Sequence, residues 1–429
     1  MDTMSNRDNE GVDTPDGDLP PAVKQQGDLV IDKFNSLFGR CDPLNEEHRR
    51  NGPMPIENNA FINQLKSGPL SIEDNAFLNR LKSTSDRLDS NLLPLLGDQL
   101  IAISLSLKPS ELQKEPCSTL KRILEMQEEL EQTLCQIRSA LDLLPEQEVV
   151  PNQTNDQHHQ EFKNYRVNGL DQCIRDEVLM EISGFFSSSI MLVRQLGFST
   201  EPRINQMVPA GMDVVHTRYR SEASLRSAKI WLRGSEWETV LVGWRLAMDV
   251  MDSVLENSIR HISLIPPNHD LNDRPPFEPL GEQNLEVAES LIPIVKLSRI
   301  FLARLSKLEM KHKTLPHYTE MCTHQLQSLH DLPLSVIAKL SCLQSMSIRN
   351  DMFDEASTIR FNDMVRRLLA LFQSSLLDVV LCVVPLLPDL NGFPHQTYLK
   401  TWFVTWNTQF IIATQNLTRL TFSFLNNPL

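Results

Sequence analysis

Residues that build disulfide frameworks and glycine-rich ligand loops are scarce in this chain. Of its 429 residues, 7 are cysteine and 15 are glycine, and no two cysteines have Cys-x-x-Cys spacing. Disulfide scaffolds pair an even number of cysteines, and zinc ribbons use closely spaced pairs. The odd count instead favours reduced, mostly buried thiols and an intracellular protein, cytoplasmic or nuclear.

Positive charge is also in short supply. The chain has 41 Lys and Arg against 55 Asp and Glu, a formal charge of −14 at pH 7. Phosphates and anionic lipid surfaces attract cationic proteins, so nucleic acid and membrane surfaces are not expected as the main partners. Residues 1–18 hold six acids and one Arg, unlike the basic start and apolar stretch of a secretory signal.

The sequence patterns of several familiar catalytic sites are missing. The chain has no Gly-x-Gly-x-x-Gly, no loop ending in Gly-Lys-Ser/Thr, no His-Glu-x-x-His and no Gly-x-Ser-x-Gly. Those patterns cradle phosphates, hold zinc or present a nucleophilic serine. We therefore expect no cofactor, and a binding function is favoured over an enzymatic one.

A metal-dependent enzyme or metal-binding helical bundle is the alternative, built on the region His312–His330. Glu309-x-x-His312 has the spacing with which di-iron bundles place two ligands on one helix face, and His317 and His324 follow it. Those bundles use the motif twice with further glutamates. A single copy favours the interpretation that these are histidines of a loop between helices.

What the chain does contain is helical periodicity. Ser235 and Glu238 have the spacing of a capping box, and the apolar residues after them recur every three or four positions up to Pro266. This pattern predicts one long helix with a buried face, which we place at the centre of the fold. Its predicted buried residues are Trp237, Leu241, Trp244, Met248, Met251, Leu255, Ile259 and Ile262.

Similar patterns predict helices along most of the remaining chain. The sequence thus predicts an all-α protein of long antiparallel helices, packed in one or two bundles after a disordered N-terminal tail. The predicted helices cover approximately residues 92–107, 116–144, 170–196, 213–233, 285–305, 326–346 as one helix or two, 361–383 and 395–424.

Composition divides the chain into four parts. Residues 1–84 are acidic and poor in aromatics, which predicts a mostly disordered tail. Residues 85–265 form the first predicted bundle and residues 282–429 the second. Between them, residues 266–281 contain five prolines and no apolar rhythm, so a linker is predicted there.

A tandem repeat lies in the predicted tail, where residues 53–67 return sixteen positions later as residues 69–83. Each copy can form about two helical turns with an apolar side, and paired motifs of this kind bind a partner's groove with raised effective concentration. A recent duplication in a poorly ordered tail explains the repeat equally well. The predicted partner-binding residues are Phe61, Ile62, Leu65, Phe77, Leu78 and Leu81.

One apolar run, residues 368–387, is nearly long enough to span a membrane. It contains Gln373 and Asp378 and ends among prolines, which favours a buried core helix. No membrane span is expected, and membrane association through residues 368–387 is the further alternative.

Three segments carry a resemblance to a known family. Residues 92–101, 120–130 and 398–407 resemble uncharacterised proteins predicted in many copies from rust-fungus genomes, and the resemblance covers most of the chain from about Asn91. It implies a source but no activity. The leading prediction is therefore a helical protein-interaction module with a protein partner.

Overall fold

The structure of the chain, a computed structural model, is built from α-helices. It describes residues 19–41, 72–144, 156–158, 160–202, 211–263, 281–311, 315–348, 354–389 and 394–426, and this part of the chain contains no β-strand. The predicted all-α class is confirmed. In chain order its α-helices are α1 (Pro21–Cys41), α2 (Ile72–Arg87), α3 (Leu93–Ser106), α4 (Pro109–Lys114), α5 (Pro116–Leu141), α6 (Asn164–Gln172), α7 (Leu179–Gln195), α8 (Met212–Arg233), α9 (Glu236–Val240), α10 (Trp244–Ser263), α11 (Glu282–Lys311), α12 (Thr323–His330), α13 (Leu332–Ser347), α14 (Glu355–Asp378) and α15 (His395–Asn426).

The chain divides into two compact units, each made of non-consecutive segments. The first comprises Met1–Pro55, Ser71–Leu144 and Gln172–Arg226, and the second comprises Ile56–Leu70, Pro145–Asp171 and Ser227–Leu429. The predicted linker at 266–281 lies, up to residue 280, outside the described residues. The helices on either side of it, α10 and α11, pack against each other within the second unit. A proline-rich segment shows where a helix ends. It does not show whether the connection is a loop inside one unit or a boundary between two units.

Helix α1 is a packed part of the first unit, although it falls within the predicted disordered tail. It lies against α5 and α7, and Val30, Phe34 and Leu37 are fully buried. Gln127 of α5 donates from Nε2 to the carbonyl oxygen of Val30 at 3.1 Å. The disorder prediction therefore does not hold for residues 21–41, because an apolar face of helical spacing supports a helix locally even where the surrounding composition is acidic.

Charged and thiol groups surround the contact between α1 and α5. The carboxylate of Glu131 lies 2.5 Å from Lys33 Nζ and 2.5 Å from Arg40 Nη2. The hydrogen bond from Lys33, together with the nearby Arg40 charge, lowers the pKa of Glu131. Burial raises the pKa of the Cys41 thiol to about 12. All seven cysteines are free thiols, as the sequence predicts, but Cys41, Cys173 and Cys322 alone are buried, so the expectation of mostly buried thiols is wrong.

The long helix predicted from Ser235 to Ile265 is two helices. The capping box is confirmed, since Ser235 and Glu238 exchange the two expected hydrogen bonds at the start of α9. The chain then turns at Gly243, whose φ of +80° suits glycine, and α10 begins at Trp244. The turn shifts the buried face of α10 to Trp244, Ala247, Met251 and Val254, and it leaves the predicted core residue Ile259 exposed.

Helix α11 is one of the central helices of the second unit. It packs against α10, α13 and α15, while α14 packs against α13 and α15. An aromatic core joins these helices, with Phe301 of α11 5.3 Å from Phe372 and 4.4 Å from Trp406 between ring centroids. Pro293 lies inside α11 with its side chain exposed.

Several local predictions in the second unit are confirmed. Pro333 lies in the first turn of α13 and separates it from α12, so the predicted segment 326–346 is two helices. Asp354 caps α14, because its carboxylate accepts a hydrogen bond from the Ser357 backbone N–H at 3.0 Å. The predicted helix at residues 395–424 is the 32-residue helix α15.

The packing of α1 can be tested at Gly27, where a Cβ atom would lie 1.5 Å from the carbonyl oxygen of Phe198. We expect Gly27→Ala to lower the free energy of unfolding by about 1–3 kcal/mol, because the backbone of α1 must move away from its neighbour. Gly39→Ala is the matched control on the same helix, since nothing lies within 4 Å of its Cβ position. The control should be neutral or stabilising by up to about 1 kcal/mol. Equal stabilities of the two variants in urea unfolding would show that α1 is not packed as described.

Candidate functional site

A buried ion pair lies at the centre of a polar network in the second unit. Lys163 and Glu236 have side-chain exposures of 0% and 1%, and Lys163 Nζ lies 2.7 Å from Glu236 Oε1. Lys163 Nζ also donates to the carbonyl oxygen of Thr319 at 2.7 Å. A charge removed from water is tolerated only with such partners, because its desolvation costs several kcal/mol.

The start of α9 holds the acidic partner in place. Glu236 Oε2 accepts hydrogen bonds from the Thr319 backbone N–H at 2.7 Å and from Thr319 Oγ1 at 2.6 Å. The backbone N–H of Glu236 donates to the carbonyl oxygen of His317 at 3.0 Å. Because Glu236 is in the first turn of α9, the helix dipole also favours its negative charge.

A second carboxylate, that of Asp156, repeats this arrangement at the start of α12. It accepts hydrogen bonds from the Thr323 backbone N–H at 2.8 Å, from Thr323 Oγ1 and from the Asn164 backbone N–H at 3.3 Å. The backbone N–H of Tyr165 donates to Thr323 Oγ1 at 2.9 Å. The segment 156–165 is thereby bonded to the first turn of α12.

Arg166 and Tyr165 extend the network to the end of α8. The Arg166 guanidinium donates from Nε to the carbonyl oxygen of Trp231 at 2.9 Å and from Nη2 to that of Gly234. The Tyr165 ring lies 5.1 Å from Trp231 and 6.1 Å from His330 between centroids. Burial raises the pKa of the Tyr165 hydroxyl well above its usual value.

The role of this polar network is to hold parts of the fold together. Lys163, Glu236 and Asp156 are all buried, and the hydrogen bonds described for them run to other groups of the protein. We call the set Asp156, Lys163, Glu236, Thr319 and Thr323 the buried latch. Its effect is to fasten the segment before α6 to the starts of α9 and α12.

The predicted metal ligands are not brought together where the structure describes them. His312 and the side chain of Glu309 lie outside the described residues. His317 and His324 are exposed, and the His317 ring packs edge-on against Tyr318. Across the described ranges, no group of three or more His, Cys, Asp and Glu side chains is arranged to hold a metal ion.

The predicted partner-binding residues are only partly visible. Phe61, Ile62 and Leu65 lie outside the described residues, as do the side chains of Phe77 and Leu78. The second copy of the repeat continues into α2, which begins at Ile72. Leu81 is 5% exposed and belongs to the core of the described chain. Its side chain therefore contacts the protein's own core.

The outer face of α8 was not predicted as a binding surface, and its N-terminal half is apolar. Three of its large side chains are well exposed: Met212 at 63%, Val215 at 41% and Tyr219 at 56%. Exposed Ala223 and Arg226 continue the same line with spacings of three and four. We define these five residues as the outer face of α8. The opposite side of the helix is buried through residues that include Val214, Ser221, Leu225 and Ala228.

The apolar run that raised the membrane alternative lies in α14 and the turns after it. In the part of the chain that is described, Glu355–Leu386 is the one helical stretch long and apolar enough to cross a membrane, and 33% of its most apolar window is buried. Leu368 and Phe372 face the core, whereas Leu377 and Leu381 are exposed. Length and composition alone are weak support for a span, since core helices pass the same test.

Comparison with known proteins finds two family models that match consecutive regions of the chain. Residues 82–232 match a domain of unknown function, DUF8723, and residues 235–419 match another, DUF8721. No curated protein and no solved structure matches the chain. The matches are consistent with an uncharacterised family, as the sequence resemblance predicts.

The two matched regions meet between the end of α8 and the capping box of α9, and the buried latch crosses that junction. Asp156 and Lys163 belong to the first matched region, while Glu236, Thr319 and Thr323 belong to the second. All five lie in the second compact unit. The segment 156–171 is therefore matched with one region but folded with the other.

The latch can be tested by removing one charge. We expect Lys163→Met to lower the free energy of unfolding by about 3–5 kcal/mol, because Glu236 is left buried without its counter-charge. Adding Glu236→Gln should recover part of the loss, since glutamine keeps a hydrogen-bond acceptor for Thr319 without the charge.

The matched control is the exposed pair of Arg367 with Asp363 on α14. Arg367→Met should cost less than about 1 kcal/mol, as exposed pairs do. Urea unfolding of the variants measures these differences. Similar losses for Lys163→Met and Arg367→Met would contradict the assignment of Lys163 and Glu236 as a dry ion pair.

Proposed function

We propose that this protein is an intracellular helical module, cytoplasmic or nuclear, that binds a protein partner through the outer face of α8. The observation that carries the proposal is the exposure of Met212, Val215 and Tyr219 along one line of a helix whose other side is packed. The rust-fungus source implied by the sequence resemblance is part of the same proposal.

The composition of this face supports a binding role. Tyr, Met and Arg are enriched in protein interfaces, and aromatic anchors supply much of the binding energy. A line of residues at helical spacing is also the arrangement by which helices pack along a partner's groove or helix. Single exposed apolar residues are ordinary on protein surfaces, but a contiguous line of them marks an interaction site.

The orientation of Tyr219 is further support. The guanidinium of Arg218 lies over the Tyr219 ring at 4.2 Å and is paired with Glu222 one turn later. A cation held over the ring restricts the rotamers of this exposed aromatic residue. An anchor ordered before binding loses less conformational entropy when a partner covers it.

The tandem repeat is a second proposed binding element. Its anchors are Phe61, Ile62 and Leu65 in the first copy and Phe77 and Leu78 in the second. Leu81 is the least suitable anchor because it is already buried. Two short motifs on one chain would raise the local concentration of the second once the first is bound.

The first prediction for this function concerns α8. We expect the double variant Met212→Ser, Tyr219→Ser to reduce co-purification of the partner from native cells by at least about tenfold, since truncating interface anchors costs about 2 kcal/mol or more. Leu334→Ser, which removes a side chain that is 65% exposed on α13, is the matched control. Quantitative mass spectrometry of the purified complexes measures the change. Undiminished capture, with both variants folded by circular dichroism, would remove α8 from the proposal.

The repeat requires a separate prediction. We expect Phe61→Ala with Phe77→Ala to abolish capture in a pull-down, because each substitution removes the largest apolar side chain of its copy. The single variants should each lose less than the double variant if the copies bind together. Full capture by the double variant would assign binding to α8 alone.

A further inference from the structure

The outer face of α8 changes character along its length. Its N-terminal half is apolar through Met212, Val215 and Tyr219, whereas Arg226 stands on its next turns, and exposed Lys229 and Ile230 follow it. The whole helix carries five basic and two acidic side chains in a chain whose formal charge is −14. A cationic helix with an apolar outer side is thus an exception to the acidic balance of the protein.

Among these bases, Arg218 is paired with Glu222, and Arg220 Nη2 lies 2.7 Å from Glu181 Oε1 of α7. The Arg218 pair adjoins the Tyr219 ring, and the Arg220 pair lies beside the apolar line. Arg226 is different because it follows Tyr219 by seven residues, two helical turns, and stands on the line itself. A partner that covers the apolar residues must therefore also cover the Arg226 guanidinium.

Covering a guanidinium with an uncharged surface is costly, because the charge loses water without gaining a counter-charge. A carboxylate at that position supplies the counter-charge and a bidentate hydrogen bond. An anionic membrane would also combine apolar and negative groups, but the acidic remainder of the chain would be repelled from it. A short acidic amphipathic helix avoids that repulsion, since it presents its charge only at the docking face.

From this arrangement we infer the class of partner. The outer face of α8 binds an amphipathic helix whose apolar residues recur at spacings of three and four and are followed within two turns by Asp or Glu. The inference rests on the proposed function of α8 and specifies the chemistry of the partner at that same site.

A peptide-display selection tests it. A library of helical peptides with a fixed apolar line and randomised residues at all other positions is panned against the full-length chain. We expect the selected peptides to be enriched in Asp and Glu on one side of the apolar line. Their affinity should fall about fivefold or more in the variant Arg226→Glu, Lys229→Glu, since two exposed charge pairs are lost and become repulsive.

The matched control is Lys400→Glu with Arg419→Glu, which makes the same charge change at exposed positions of α15. These substitutions should leave the affinity within about twofold, because neither residue belongs to α8. Affinity for the unmodified chain should also weaken as NaCl is raised from about 50 mM to about 500 mM.

The possible outcomes distinguish the proposed class of partner from the proposed use of α8 as a docking surface. Selected peptides could lose binding in the Met212→Ser, Tyr219→Ser variant and yet show no enrichment in Asp and Glu. That result would contradict an acidic partner and would still support α8 as a docking surface. Selected peptides whose binding ignores the Met212→Ser, Tyr219→Ser variant would overturn the docking surface itself. The chain could instead sediment with phosphatidylserine vesicles and lose this binding in the Arg226→Glu, Lys229→Glu variant. That result would contradict a helical partner and identify a membrane surface as the ligand of α8.

Discussion

The placement of the segment before α6 depends on the buried ion pair between Lys163 and Glu236. Both groups are almost fully removed from water, and each is also bonded to the main chain of Thr319. A buried charge that loses its partner costs about 3–5 kcal/mol, so these two side chains are tolerated only where they meet. We attribute the placement of the segment before α6 to this pair and to the parallel bonds of Asp156. The helices around it are held by ordinary apolar packing, in which aromatic residues such as Phe301 and Trp406 take part.

Local signals were sufficient to predict most helices. Capping residues such as Ser235 and Asp354, and Pro333 at a helix start, act through atoms a few positions away, so their effect is visible in the sequence. The prediction was wrong across Gly243, because apolar residues kept helical spacing on both sides of a turn that the glycine conformation allows. It also predicted only one short apolar turn, at residues 29–38 of the acidic tail, where α1 has a longer apolar face that contains Phe34.

The buried latch and the outer face of α8 were far less predictable, for two physical reasons. Lys163 lies 73 positions before Glu236 and 156 before Thr319, and no local pattern links charges that meet only after folding. Exposure is likewise a property of the tertiary structure: α8 has apolar residues on two sides, and packing decides that Leu225 is covered while Tyr219 is not. The tandem repeat, by contrast, is visible in the sequence alone, so the predicted binding residues were all taken from it.

The buried latch has a consequence for any division of the chain between the two matched regions. A gene fragment beginning at Ser235 would encode the whole second matched region yet omit Lys163, leaving Glu236 in a dry interior with no cation beside it. A fragment ending at residue 232 would carry Lys163 and Asp156 without the threonines that receive them. A fusion or rearrangement at this junction would separate groups that are tolerated only together. The two matched regions are therefore not independent at their junction, because the buried latch takes residues from both.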